Sequence, residues 1–177
     1  MNIAVYCSAN DHLDPDFFAL TDELGRFMAQ EGHHLVFGGA DMGLMECIAK
    51  AVKTHGGMTI GVVPQILEKG GRVSEYLDVE IPCDTLADRK ELMETKSDIF
   101  IALPGGVGTL DEIFNVVASA TIGYHHKRVI LYNMKGFWDQ LIALLDDLAR
   151  RGCIRGDWHS QIVVANNLDD IRKALQS

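Results

Sequence analysis

Short apolar runs alternate along the chain with longer stretches in which apolar residues recur every three or four positions. Asn2–Cys7, His33–Phe37, Thr59–Val63, Asp98–Leu103 and Arg128–Tyr132 read as strands, with Gln161–Ala165 a weaker sixth. Helical periodicity predicts helices near Asp16–Gln30, Gly43–His55, Thr85–Lys96, Thr109–Gly123, Trp138–Arg150 and Leu168–Leu175. Strands that are apolar along their whole length and alternate with helices predict an α/β fold, an open parallel sheet with helices on both faces. Pro64–Asp84 breaks this rhythm. It contains Gly70-Gly71 and a short run Asp78–Ile81, and reads as a surface loop plus a weak strand able to fold over a ligand.

Length and composition narrow the picture. A chain of 177 residues fits one domain, residues 1–177, and folding at this size hides roughly 70% of the unfolded surface. The apolar share of 47% supplies a core without staples. A formal net charge of −9 argues against a nucleic-acid partner, because phosphate backbones demand clustered cations. A small anion stays compatible, since one local turn can hold one phosphate. Cys7, Cys47, Cys83 and Cys153 are scattered without C-x-x-C spacing, and the seven histidines form no metal-ligating pattern. We therefore expect a reduced, cytoplasmic protein without a metal site. Met1-Asn2-Ile3 enters a strand without a basic leader, and no apolar run approaches the ~20 residues of a membrane span.

In open parallel sheets ligands collect at the carboxyl ends of the strands. Two glycine-rich turns fall there. Pro104-Gly105-Gly106-Val107-Gly108 follows one strand and opens a helix, where backbone N–H groups and the helix dipole favour a phosphate. The bland alternative is that these glycines only permit a sharp turn. The other turn, Gly38-Gly39-Ala40-Asp41-Met42-Gly43, also joins a strand to a helix, and the two together are able to grip two ends of one ligand. No Walker lysine follows either turn, and Ser8-Ala9-Asn10-Asp11 after the first strand lacks glycine, so neither a triphosphate nor a dinucleotide cofactor is expected.

Glu112 has two readings. Thr109-Leu110-Asp111-Glu112 has the form of a capping box, in which the glutamate returns to the cap residue's N–H. The same carboxylate lies one turn past the phosphate turn, where it suits catalysis. Asp111 reads as a first-turn surface acid. Arg89 and Lys90 fall between Leu86 and Met93 on one helical stripe, placed either to snorkel outward or to serve an anion. Cys7, Met42, Met45 and Met93 read as packing residues.

The string Pro104-Gly105-Gly106-Val107-Gly108-Thr109-Leu110-Asp111-Glu112 with Arg89-Lys90 upstream resembles the LONELY GUY family of cytokinin riboside 5′-monophosphate phosphoribohydrolases, once labelled lysine decarboxylases. Gly38-Gly39, Gly43-Leu44-Met45 and Gly123-x-His125-x-Lys127 extend the match to nearly the whole chain. The resemblance implies a Rossmann-like fold, a homodimer whose site borrows residues from its neighbour, and cleavage of an adenine nucleotide to free base and ribose 5-phosphate. It also implies that Arg89 and Glu112 are the catalytic pair, and that Lys90 and Gly105, Gly106, Val107, Gly108, Thr109, Leu110 and Asp111 contact the nucleotide. No cofactor is implied, and no lysine with a pyridinium partner supports the decarboxylase label. The rival expectation is a non-catalytic carrier of a nucleotide or phosphorylated cofactor on the same fold. The chain departs from the family pattern at Ala40, Glu46, Ala87, Ser119 and Thr121. Ala87 stands where a His is usual, and Ser119 and Thr121 where Trp and Gln are, which puts base preference in question more than reaction type.

Overall fold

The computed structural model describes residues Met1–Ser177. Its strands are β1 (Asn2–Tyr6), β2 (His34–Phe37), β3 (Thr59–Pro64), β4 (Val79–Cys83), β5 (Ile99–Ala102), β6 (Val129–Tyr132) and β7 (Ile162–Ala165). All seven join one parallel sheet in the order β4-β3-β2-β1-β5-β6-β7. The helices are α1 (Pro15–Gln30), α2 (Gly43–Thr54), α3 (Gln65–Lys69), α4 (Leu86–Lys96), α5 (Val107–Thr121), α6 (Asp139–Arg150) and α7 (Leu168–Gln176).

Alternation along the strands divides the core into two halves. Ile3, Val5, Ile99 and Ile101 pack with Leu24, Met28, Ile48 and Ile171 on the side of α1, α2 and α7. Ala4, Tyr6, Phe100 and Ala102 face Met93, Ile113, Val116 and Leu145 on the side of α4, α5 and α6. Tyr6 and Phe100 stack at 5.7 Å between ring centroids, joining the two central strands within that second half. The order in which strands are added reverses between β1 and β5, the switch point at which ligands gather in such sheets.

Three expectations are corrected. The weak strand read within Pro64–Asp84 is present as β4, a five-residue edge strand in register with β3, but the stretch before it is not simply a loop, since it holds α3. The rest of that segment lies against the turn after β2, through the amide of Asp41 on Arg72 and that of Ser74 on Gly39, and does not cover α5. The long helix after β5 begins at Val107 rather than Thr109. Its N-cap is Gly106, which has no side chain to offer, so the expected capping box at Thr109 and Glu112 does not form. A capping box does form one helix earlier, where Thr85 and Asp88 exchange hydrogen bonds at the start of α4.

Candidate active site

Freed of any capping role, Glu112 turns inward. It is only 3% exposed, and its Oε1 accepts a 2.6 Å hydrogen bond from Arg89 Nη2. Arg89 comes from α4, whose capping box sets the helix start, and reaches across to Glu112 on α5. Leu86 of the supposed apolar stripe is exposed while Met93 is fully buried, so the stripe is narrower than its spacing suggests. That leaves Arg89 at the rim of the core, largely buried and within reach of Glu112. Its neighbour Lys90 instead meets Asp111 at 2.8 Å. Two ion pairs thus bridge α4 and α5 side by side.

Burial raises the Glu112 carboxyl to about 7, while the charge and hydrogen bond of Arg89 pull it down. Desolvation and the nearby Glu112 charge push the Cys7 thiol well up, so it stays neutral and unreactive. Tyr6 is pushed up for the same two reasons, burial first. A carboxylate that titrates near neutrality beside a fixed cation suits general base work at physiological pH.

A cavity of about 250 Å³ opens over this pair, lined by Arg89, Glu112, Gly106, Gly108 and Thr109 together with Cys7, Ser8, Ala9 and Met45. The first amides of α5 have no intrahelical acceptor and lie at its mouth, a ready cradle for an anion. Val107 is 85% exposed and points away, and Gly105, Leu110, Lys90 and Asp111 do not line the cavity. Gly38 packs against the Arg89 guanidinium and Met45, close to the pair without lining the cavity. Gly39 and Gly43 have local reasons to be glycine. Both have positive φ, and a Cβ would strike Val63 at the first and the Ala9–Asn10 backbone at the second. Gly43 also donates its N–H to Asp11 Oδ1 at 2.8 Å, so this turn braces the site.

Ser8 and Ala9 went unnoticed as lining residues because they carry neither charge nor glycine. Their place at the end of β1, beside the switch point, is the signal that locates them. Cys7 and Met45 do pack into the core as expected, and they also wall the cavity.

Residues 45–175 match a family model described as "Possible lysine decarboxylase". A cytokinin riboside 5′-monophosphate phosphoribohydrolase of Mycobacterium marinum is 35% identical over 172 residues, covering 97% of this chain and 91% of that protein. Its namesake in Mycobacterium tuberculosis is 36% identical with the same coverage. Among solved structures, the molybdenum cofactor binding protein of Rippkaea orientalis superimposes with a TM-score of 0.75 at 24% identity, over 99% of this chain and 94% of that one. The Moco carrier protein of Chlamydomonas reinhardtii does so with a TM-score of 0.75 at 22% identity over the same shares. Likeness at that level is a likeness of fold, the Rossmann-like α/β architecture seen here. The matched family model and the full-length similarity to the mycobacterial proteins place the chain in the LONELY GUY family.

Proposed function

We propose that the protein hydrolyses the N-glycosidic bond of adenine-type nucleoside 5′-monophosphates, AMP or a cytokinin riboside 5′-monophosphate, releasing free base and ribose 5-phosphate. The observation that carries this reading is the buried Arg89–Glu112 pair in a cavity whose rim is the start of α5. The names of the mycobacterial relatives support it.

The 5′-phosphate docks on the free amides of Gly106, Val107, Gly108 and Thr109, which fixes the ribose over Glu112. As the base departs, C1′ of the sugar gains positive character, as in other glycoside cleavages. The ionised Glu112 stabilises that charge and takes a proton from the attacking water. Arg89 favours the ionised form of Glu112 against its burial and binds phosphate or ribose oxygens. The departing base is protonated by solvent.

Incubation with AMP and with N6-isopentenyl AMP, followed by chromatography for base and ribose 5-phosphate, tests the reaction. Adenosine under matched conditions tests the phosphate site, and loss of about 100-fold or more in kcat/KM is expected without the phosphate. Tight binding with no release of base from either nucleotide would overturn the enzyme reading in favour of a carrier. Equal efficiency on AMP and adenosine would remove the start of α5 from the mechanism.

A further inference from the structure

The cavity over Glu112, at about 250 Å³, is smaller than the ~300–1,000 Å³ typical of sites that enclose a whole small ligand. A second hollow of about 420 Å³ opens between α4 and α5. Both lie along α4 and α5: Arg89 lines the first and Lys90 the second, and Glu112 lines the first while Asn115, one turn on, lines the second. With phosphate on the first turn of α5 and ribose at Glu112, the base is directed along α5 into this hollow.

The hollow carries two carboxylates, Glu91 and Glu94, against one cation, Lys90. Lys90 is paired with Asp111, which offsets the hollow's cation. Glu94 takes a 3.3 Å bond from the Asn115 amide, and the ring of His125 lies 3.4 Å from its other oxygen. Glu91 is exposed and has no hydrogen bond or ion pair of its own, so its carboxylate is free for a ligand. Ser119 donates to the Asn115 carbonyl at 3.0 Å and keeps its lone pairs available. Space exists because Ala87 and Ser119 are small, and both are positions at which this sequence departs from its family pattern.

We infer that this hollow reads the substituent on the leaving base and selects nucleoside 5′-monophosphates whose base carries a hydrogen-bond-donating arm, such as an aminoalkyl group, over those with a hydrocarbon arm. A hydrocarbon chain would desolvate Glu91 and Glu94 and meet only Ala87 and the exposed Tyr124 ring in return, whereas an ammonium group meets both carboxylates. This specificity rests on the phosphoribohydrolase reading.

The test is kcat/KM for AMP, N6-(4-aminobutyl)-AMP and N6-pentyl-AMP, the last two being close in size. The aminobutyl compound should exceed the pentyl compound by about two- to fivefold, the worth of one favourable exposed charge pair. In Glu91→Gln/Glu94→Gln that ratio should fall to near one, and in Ser119→Trp both arms should lose ground to AMP. If the double variant fails to fold, Glu91→Gln alone serves, since its carboxylate has no structural partner. A wild-type ratio at or below one, or a ratio untouched by loss of the carboxylates, overturns the inference while AMP hydrolysis leaves the reaction standing. Absence of base release from all three compounds overturns the reaction and this inference together.

Discussion

Glu112 is held between two opposed influences, burial that favours its neutral form and Arg89 that favours its charge. The general base proposed here must be deprotonated, so activity should be lost on the acid side, and the balance near 7 sets where. We expect kcat to rise with pH through an inflection near or above 7, because a bound phosphate dianion adds negative charge close by. The kcat/KM profile carries a second limb near ~6 from the substrate phosphate, so kcat is the cleaner measure. In Arg89→Gln the cation is gone and the limb of the residual activity should move alkaline. A limb that stays put would separate Arg89 from the ionisation of Glu112. Glu112→Gln keeps the shape of the side chain and its bond to Arg89, since the amide oxygen still accepts. It should fold normally by circular dichroism yet lose about 100-fold or more in kcat. Retention of most of the wild-type rate would end the catalytic assignment.

At the scale of elements, the start of α5 separates the phosphate cradle from a mere turn. Gly105 must be glycine for packing, because a Cβ there would collide with the Thr109 side chain. Gly108 has no such reason: it lies inside the helix and a Cβ would meet open space. Gly108→Ala should therefore raise stability by about 0.5–1 kcal/mol, as at other compatible helix sites. If phosphate rests on the cradle, the same methyl group should crowd it and raise KM for AMP. Thermal melts and initial rates read the two effects separately, and an unchanged KM would place the phosphate elsewhere. A matched comparison applies to the arginines. Arg89→Ala should cripple turnover, while Arg150→Ala and Arg151→Ala, both exposed and paired with Asp147, should leave it near wild type. Comparable mild effects at all three would deny Arg89 a dedicated role. Most of these elements were legible in the sequence, since strands buried on both faces are apolar throughout. β4 was legible only as a weak strand over Asp78–Ile81, because an edge strand tolerates the Glu80 and Pro82 that interrupt its pattern. The start of α5 was misplaced because glycine is a poor helix former and Thr109 mimics a cap. Arg89 and Glu112 each stood out in sequence, but their contact spans 23 residues and depends on how α4 and α5 pack, which periodicity does not encode.

For the whole molecule the open question is what covers the outer side of α5. Its apolar residues exceed what one core face uses: Ile113 and Val116 are buried, whereas Phe114 is 39% exposed and Ile122, which caps its C-terminus, 69%. Between α5 and α6 lies an apolar groove of about 360 Å³, with Phe114, Val117, Leu145, Leu148 and Ile154 among its walls. The segment Pro64–Asp84, the one intrachain candidate to cover this helix, is engaged at β2 and β3 instead. An exposed apolar strip of this kind is commonly closed by a second copy through two-fold symmetry. Such a pairing would bring the neighbour close to the start of α5 without blocking the polar hollow on its α4 side. We therefore expect a dimer in solution, with a light-scattering mass about twice the 19.5 kDa of one chain at micromolar concentration. Phe114→Glu puts a charge into the apolar groove at a half-exposed position, so it should shift the population to monomer while leaving the fold intact. If a neighbouring subunit completes the site, that monomer should also lose activity, and loss of mass and loss of rate should follow the same dependence on protein concentration. A wild-type mass near that of a single chain would sink the dimer, and an active Phe114→Glu monomer would show that each chain carries a complete site.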